Sequence, residues 1–247
     1  VYPFNERPDR AMELLKMVGL EEQAHKLPAS VSSGQQQSAA IARALATDPS
    51  LILADEPTGN LDSKSAEKIL HIFEELAAQG KTILIVTHDP SITQRTDQTV
   101  ILSDGEIIDP TVARALPYLS HPQMLAATHQ AVKRTFLPLE TVLGQGESVD
   151  NFFMIVSGQV EIVLNAGQTN EMSLACLGSG QFFGEIELTQ GGGSIAGVRA
   201  SSLGAEIALL PKEVFFNLID GSPLTRGSIR EVAENRRSEH NRRLGDR

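Results

Sequence analysis

The chain has 247 residues, of which 41% are hydrophobic and 21% charged, and its formal net charge is −10. This length allows one or two globular domains, and no apolar run reaches the roughly 18 to 20 residues that a membrane-spanning helix needs. The acidic balance and the 4% aromatic content argue against a nucleic-acid partner, and the single cysteine, Cys176, excludes a disulfide framework. We expect Cys176 to be a small core residue.

The first half alternates predicted helices with apolar strands. Apolar side chains between Pro8 and Gly19 share one helical face, and a second helix is predicted from about Gln35 to Ala46. The continuous apolar runs Leu51–Ala54 and Thr82–Thr87 are typical of strands buried on both faces. A helix from Asp62 or Ser63 to Gly80 connects them. This strand, helix and strand predict a parallel pair.

A tight hairpin with a type I′ turn is predicted at residues 100–108, around Asp104-Gly105. After about residue 115, alternating strands and glycine turns predict a small barrel or jelly roll. Its predicted parts are a hairpin of strands 153–156 and 160–164 turning at Ser157-Gly158, strands 174–177, 195–200 and 207–210, and helices near 121–132 and 211–219.

We therefore expect three parts: an α/β domain over 1–115, a β-rich domain over 116–225 and a basic helix or tail over 226–247. The tail carries seven basic and four acidic residues, which indicates a solvated helix face, with contact to anionic lipid or RNA as the alternative. The sequence begins at Val1 rather than at methionine, so we expect it to be a piece of a longer protein.

Two carboxylates follow the first apolar strand directly, at Asp55 and Glu56. Ligands of open α/β sheets gather at the carboxyl ends of strands, where an Asp can hold Mg²⁺ and a neighbouring Glu can orient or deprotonate water. The alternative is a pair of exposed acids that opens a loop. Upstream, Ser32, Gly34 and Gln35 form a small polar turn that either receives an anion or merely caps a helix.

Further downstream, Gly59-Asn60-Leu61-Asp62 is a turn, and His88 follows the second strand as either a phosphate donor or a plain loop histidine. In this order and spacing, these four elements resemble the ATP-binding-cassette (ABC) ATPases, over about residues 1–112. Within that family the stretch Ala54–Asp62 is similar to the lipoprotein-release and macrolide-export subgroup. The fold implied is a partial P-loop NTPase cassette, with a helical subdomain and part of a parallel sheet.

The resemblance implies ATP and Mg²⁺ as ligands and a role for each matching residue. Asp55 would assist Mg²⁺, Glu56 would be the catalytic base and His88 would contact the γ-phosphate. The remaining positions would lie at a second cassette, where Ser32, Gly34 and Gln35 would face the ATP of the partner subunit and Asp62 would sit at the dimer contact.

Three positions depart from the family pattern. Val31 and Ser33 replace the usual first and third residues of the signature loop, and Ser38 stands where Arg is common. The phosphate-binding motif G-x-x-x-x-G-K-[ST] does not occur in the sequence, so we expect it to precede Val1 in a longer protein. We therefore expect no ATP hydrolysis from this chain alone.

Residues of about 118–222 resemble the cyclic-nucleotide-binding domain family, a β jelly roll with flanking helices. The resemblance is carried by the following segments: Gly144–Glu147, Ile155–Val160, Gly178-x-Gly180, Phe182–Ile186 and Val198–Ala200.

The ligand residues of this second family are only partly present. Glu185 could accept a hydrogen bond from a ribose 2′-hydroxyl, but Ser194 occupies the position of the phosphate-binding Arg and offers only one neutral hydrogen bond. Arg199 resembles a family Arg that is not the phosphate ligand. Two interpretations stay open, a jelly roll with an altered pocket and a site for a cyclic nucleotide or another small anion.

Together the resemblances imply an ATP-hydrolysing subunit at the inner face of the cell membrane, coupled to a permease and regulated by the jelly roll. The alternative is a cytoplasmic nucleotide sensor whose degenerate cassette mediates association only. A transcription regulator is disfavoured, since the roughly 25 residues after the barrel are too few for a helix-turn-helix domain.

Overall fold

The computed structural model describes residues 7–245, and only the backbone of residues 240 and 243–245. It divides into two compact units at residues 98 and 99. This division precedes the expected boundary at 115, because Ile108, Val112 and Ala115 are buried in the core of the second unit. The first six residues of the predicted α/β domain and the last two of the basic tail lie outside the described residues.

The described part of the first unit, residues 7–98, contains three α-helices, short 3-10 helices and a parallel strand pair. In chain order the α-helices and strands are α1 (Arg7–Met17), α2 (Ser33–Ala44), β1 (Leu51–Asp55), α3 (Ser63–Ala78) and β2 (Thr82–Val86). The predicted helices and strands are confirmed, with small differences at their ends. Asp62 is the N-cap of α3, and Gly80 follows the helix with φ +85°, a conformation that glycine adopts without strain.

Strands β1 and β2 are parallel, as predicted, with Leu51 opposite Thr82 and Asp55 opposite Val86. Helix α3 is the connection between them, and its apolar side chains enter the core of the unit. That core is formed by Leu14, Val18, Leu20, Ile41, Ala42, Leu45, Ile52, Ile69, Ile72, Phe73 and Leu76.

The prediction that both strands are buried on both faces is wrong. Ile52 is 6% exposed, whereas its neighbour Leu53 is 70% exposed and Leu84 on β2 is 56% exposed. Successive side chains of a strand point to opposite faces, and in the described part of the unit the helices cover one face only. A continuous apolar run therefore indicated the strands correctly but overstated their burial.

The second unit contains a small hairpin, an antiparallel sheet and flanking helices. In chain order its elements are β3 (Leu102–Ser103), β4 (Glu106–Ile107), α4 (Pro110–Ala115), α5 (His121–Gln130), β5 (Val132–Phe136), β6 (Thr141–Leu143), β7 (Asn151–Leu164), β8 (Met172–Gly178), β9 (Phe182–Phe183), α6 (Glu185–Gln190), β10 (Gly197–Pro211), α7 (Lys212–Asp220) and α8 (Pro223–Gly245).

Strand β10 pairs with β5, β6 and β7, and β7 pairs in addition with β8 and β9. The predicted class, α/β followed by a β jelly roll with flanking helices, is confirmed. The type I′ hairpin is confirmed as well, since Asp104 and Gly105 have φ values of +51° and +80°. Within residues 7–245, no helix has both the length and the apolar character needed to cross a membrane.

The predicted hairpin at Ser157-Gly158 is wrong, because β7 runs without a turn through these residues. The two strands predicted at 195–200 and 207–210 likewise form one strand, β10. The pairing of β7 with β10 shifts register between Ala200 and Ala205, so an irregularity in a continuous strand pair takes the place of the expected turn.

Cys176 is exposed, which contradicts its expected place in the core. It lies on β8, the last strand in the pairing order of the sheet, opposite Glu161 of β7. An edge strand has only one neighbouring strand, and its outward-facing side chains remain accessible.

We predict that Gly158→Ala destabilises the second unit more than Gly167→Ala does. Both glycines have φ +75°, which strains any L-residue by roughly 1–2 kcal/mol. A Cβ on Gly158 would lie 2.4 Å from the carbonyl oxygen of Gly204, whereas one on Gly167 would meet nothing within 4 Å. Urea denaturation should show a loss for Gly158→Ala at least about 1 kcal/mol larger than for the control. Equal losses would contradict the close approach of β7 and β10.

Candidate functional site

The carboxyl ends of β1 and β2 bring Glu56 and His88 together. The backbone N–H of Glu56 donates to the carbonyl oxygen of Val86 at 2.9 Å, which extends the strand pairing by one residue. Glu56 then adopts φ +44°, a left-handed conformation that is uncommon for residues other than glycine. The chain thus leaves the sheet at Glu56, beside the segment that follows β2.

Three donors surround the carboxylate of Glu56. His88 Nδ1 lies 2.8 Å from Glu56 Oε1, the backbone N–H of His88 donates to the same oxygen at 3.1 Å, and the Thr87 hydroxyl donates to Oε2 at 3.3 Å. These residues line an open, polar cleft of about 340 Å³ together with Thr58, Gly59, Asp89 and Pro90.

The pair perturbs both titrations. The hydrogen bond from His88 lowers the pKa of the Glu56 carboxyl, and the same bond raises the pKa of the His88 imidazole above its ordinary value of 6.5. The stabilisation that ionised Glu56 gives the folded state is therefore present above its ordinary pKa, and it is lost as the pH falls through the lowered pKa. The stabilisation that protonated His88 gives the folded state is complete below pH 6.5, and it is lost as the pH rises through the raised pKa.

Asp55, the predicted magnesium residue, is the last residue of β1 and is exposed to solvent. No group of three or more His, Cys, Asp or Glu side chains with metal-binding geometry occurs within the part of the chain that the structure describes. A magnesium ion is commonly held by one or two carboxylates and completes its shell with water and substrate phosphates, so a single exposed carboxylate fits such an ion.

Ser32 and Gln35 form a capping box at the start of α2. The backbone N–H of Gln35 donates to Ser32 Oγ at 3.3 Å, and the backbone N–H of Ser32 donates to Gln35 Oε1 at 3.0 Å. The two side chains predicted to face a nucleotide thus satisfy the helix end in this structure.

Gly34 lies where α2 approaches α3. A Cβ at this position would lie 2.7 Å from Ser65 Oγ and 2.8 Å from Ser65 Cβ, closer than side-chain atoms pack. The absence of a side chain at Gly34 therefore has a structural reason, contact with α3, beside the predicted approach of a phosphate.

Asp62 caps α3 through both carboxylate oxygens. Oδ1 accepts from the backbone N–H groups of Lys64 and Ser65, each at 3.1 Å, and Oδ2 accepts from the Ser65 hydroxyl at 2.7 Å. The Ser65 hydroxyl holds the pKa of the Asp62 carboxyl below its ordinary value. Since Ser65 contacts both Asp62 and the position of Gly34, the predicted dimer contact and signature loop are neighbours in space.

Glu185, the predicted ribose ligand, is buried at 1% exposure at the start of α6. Its Oε1 accepts from Arg236 Nη1 at 2.8 Å, and the same nitrogen donates to the carbonyl oxygen of Phe182 at 2.7 Å. Burial raises the pKa of the Glu185 carboxyl, while Arg236 acts in the opposite direction. Arg236 lies on α8, so this part of the basic tail packs on the barrel rather than forming a solvated face.

Ser194 is buried, and its hydroxyl donates to the carbonyl oxygen of Ala196 at 2.6 Å. Its single donor is thus already used within its own loop. Arg199 bonds to Glu161 at 2.8 Å and to Glu171 at 2.9 Å.

Two residues that belong to this region, Glu187 and Arg236, were not identified from the sequence. Glu187 is 8% exposed, and its Oε1 accepts from the backbone N–H of Ile195 at 3.0 Å. Arg236 belongs to a segment whose charges indicate only solvation. A signal for Glu187 exists, namely an acid between Ile186 and Leu188 in an otherwise apolar stretch, whereas nothing local distinguishes Arg236 from the other arginines of α8.

We predict that Glu56→Gln lowers the pKa of His88 toward about 6.5, because the amide cannot stabilise the imidazolium as a carboxylate does. NMR titration of the histidine ring protons, with the His88 signal identified in His88→Gln, measures the shift. Glu22→Gln, an exposed carboxylate with no described partner, should leave the titration of His88 unchanged. An unchanged pKa in Glu56→Gln would mean that the hydrogen bond is not formed in solution.

We predict that Gly34→Ala destabilises the first unit by about 1–3 kcal/mol through overpacking against Ser65. The intrinsic helix preference for Ala has the opposite sign, so a loss of stability identifies the contact. Ser65→Gly removes the two atoms that would lie 2.7 Å and 2.8 Å from the new Cβ. In a double-mutant cycle, Gly34→Ala should therefore cost at least about 0.5 kcal/mol less in the Ser65→Gly background. Additive losses would argue against this packing.

Two family models match the chain. Residues 4–59 match the family described as ABC transporter, and residues 133–222 match the family described as cyclic nucleotide-binding domain. The two matches cover different units, and together they contain Asp55, Glu56, Ser194 and the buried Glu185.

Individual relatives agree with the first match. The ABC transporter ATP-binding protein YvrO of Bacillus subtilis is 52% identical over 103 residues, which are 42% of this chain and 45% of that protein. The macrolide export ATP-binding/permease protein MacB of Chlorobaculum tepidum is 36% identical over 201 residues, which are 78% of this chain and 30% of that protein. The chain thus spans less than half the length of either relative.

Among solved structures, the catabolite activator protein of Thermus thermophilus aligns with a TM-score of 0.45 and 23% identity, over 55% of this chain and 62% of that one. The assignment of the second unit rests on the family match and on the strand pairing described above. The chain therefore unites a segment that matches the ABC transporter family with a segment that matches the cyclic nucleotide-binding domain family.

Proposed function

We propose that the first unit is part of the ATP-hydrolysing site of an ABC-type ATP-binding subunit, and that the second unit regulates it. The observation that carries the proposal is the Glu56–His88 pair, which lies at the carboxyl ends of adjacent parallel strands next to the exposed Asp55. Ligands of open α/β sheets bind at this edge.

Glu56 acts as the base that orients and deprotonates the attacking water, and His88 donates to the γ-phosphate. In the present arrangement the bond from His88 lowers the pKa of Glu56, so Glu56 is ionised but weakly basic. A phosphate that takes over the imidazole hydrogen bond of His88 removes one of the two donors to Glu56 Oε1 and raises the basicity of the carboxylate. Substrate binding thereby activates the base.

Asp55 is the residue that would hold Mg²⁺, which supplies charge neutralisation for the phosphates. Asp55 is exposed at the end of β1, where its carboxylate is accessible to an ion.

A second cassette is the proposed partner at the starts of α2 and α3. Ser32, Gly34 and Gln35 would face the ATP bound by that partner, and Asp62 would lie at the contact. The capping box keeps the turn in one conformation, which favours a preformed surface. Ser33 adds a side chain to this surface, and its hydroxyl supplies a further donor.

The name of one relative, an ATP-binding/permease protein, supports coupling to a membrane permease. Such a subunit would act at the cytoplasmic face of the cell membrane. The transported substrate would be selected by the permease.

We predict that Glu56→Gln lowers the ATP turnover of the complete gene product about 100-fold or more, because general base catalysis contributes factors of this order. Steady-state release of phosphate measures the effect, with Glu22→Gln as a matched loss of one exposed carboxylate. This chain by itself is expected to release no phosphate from ATP.

Unchanged turnover in Glu56→Gln would overturn the catalytic assignment. The alternative, a nucleotide sensor in which the cassette segment serves association only, predicts no turnover in either protein. Measurable Mg²⁺-dependent hydrolysis by this chain alone would contradict the expectation that a further phosphate-binding segment is required.

A further inference from the structure

The second unit has a partly open pocket of about 270 Å³ between the barrel and α8. Most of its lining is apolar, with side chains from β6, β7, β8, β9, β10, α6 and the loop before β10; the larger ones are Leu143, Ile162, Leu174, Phe183, Ile186 and Val198. A phenyl ring fits such a volume, since dry apolar cavities of about 150 Å³ bind benzene. Polar groups in the lining therefore decide which charge is accepted.

One of the lining side chains is a carboxylate, that of Glu187. The carboxylate of Glu187, which is 8% exposed, accepts the backbone N–H of Ile195 through Oε1 at 3.0 Å. This amide belongs to the same loop as Ser194, the residue at the expected phosphate-binding position. Among the described residues no donor lies at the second oxygen, Oε2, which leaves one acceptor of a buried carboxylate available to a ligand.

The positive charge in the lining, that of Arg236, already forms an ion pair with Glu185. Arg236 is the single cation among the described lining residues, and it is bonded to Glu185 at 2.8 Å. Glu239, at the mouth of the pocket, adds a further negative charge. The paired charges cancel, so Glu187 and Glu239 leave the lining with a net negative charge. A phosphate brought here would lose water without gaining a cation, and it would meet a buried carboxylate.

These residues do not fit a cyclic nucleotide. We propose instead that the pocket binds a small apolar molecule that carries a positive charge, with Glu187 as the residue that selects the charge. The proposal gives the regulatory role proposed for the second unit a ligand class. Its test measures ligand binding in this pocket alone, and the result does not depend on ATP turnover.

The test uses three probes on this chain, followed by NMR of the methyl groups of Leu143, Ile162 and Leu174. They are 2-phenylethylammonium, its anionic counterpart 3-phenylpropionate, and cyclic AMP. We expect the ammonium probe to bind at least tenfold more tightly than the carboxylate, and cyclic AMP to leave the methyl signals unchanged. Binding of cyclic AMP, or of the carboxylate as tightly as the ammonium ion, would overturn the proposal, as would no binding of the ammonium probe.

Variants identify the selecting residue. Glu187→Gln keeps an acceptor for the N–H of Ile195 and removes the charge, so the preference for the ammonium probe should shrink to below about threefold. Glu213→Gln, an exposed carboxylate on α7, is the control and should keep the full preference. A preference that survives Glu187→Gln would show that Glu187 does not select the charge.

A gain of function gives the converse test. Ser194→Arg alone should not confer binding of cyclic AMP, because the new cation would pair with Glu187. Ser194→Arg combined with Glu187→Gln should bind cyclic AMP measurably in the same titration. Binding by Ser194→Arg alone, equal to that of the double variant, would refute the role of Glu187. A thermal melt of each variant confirms that the second unit remains folded.

Discussion

The parallel pairing of β1 with β2 is the constraint on which the first unit depends. With Asp55 opposite Val86, both strands end at the same edge, and the next residues of each continue side by side. Side chains 32 residues apart in the chain thereby come within 2.8 Å. A shift of one residue in this register would displace Glu56 along the sheet by about 3.3 Å relative to His88, so the pairing decides whether the two side chains meet.

In both units, several candidate site residues are held by hydrogen bonds within the chain. Glu56 is held by the segment after β2, Ser32 and Gln35 by each other, and Glu185 by Arg236. Such contacts keep the side chains in defined positions. At these three places a ligand must replace an existing hydrogen bond, which couples binding to a change in the neighbouring residue.

Local patterns were enough to predict the elements and the edge that carries Glu56. Hydrophobic periodicity indicated the helices, and the turn residues Asp104-Gly105 indicated the hairpin, because both depend on neighbours within a few positions. The same local rules failed at Ser157-Gly158. A glycine that permits close approach to Gly204 resembles a turn glycine in sequence, since both need a positive φ.

The sequence by itself therefore determined the class of each unit, the parallel strand pair and the candidate residues at its edge. The tertiary structure alone decided which of these residues meet and which charges are already paired. Glu185 was a visible candidate, but its partner Arg236 lies 51 residues away on another helix, and burial of Glu187 depends on the loop that folds over it. Electrostatic pairing follows distance in space, and distance between remote segments is not encoded by any local pattern.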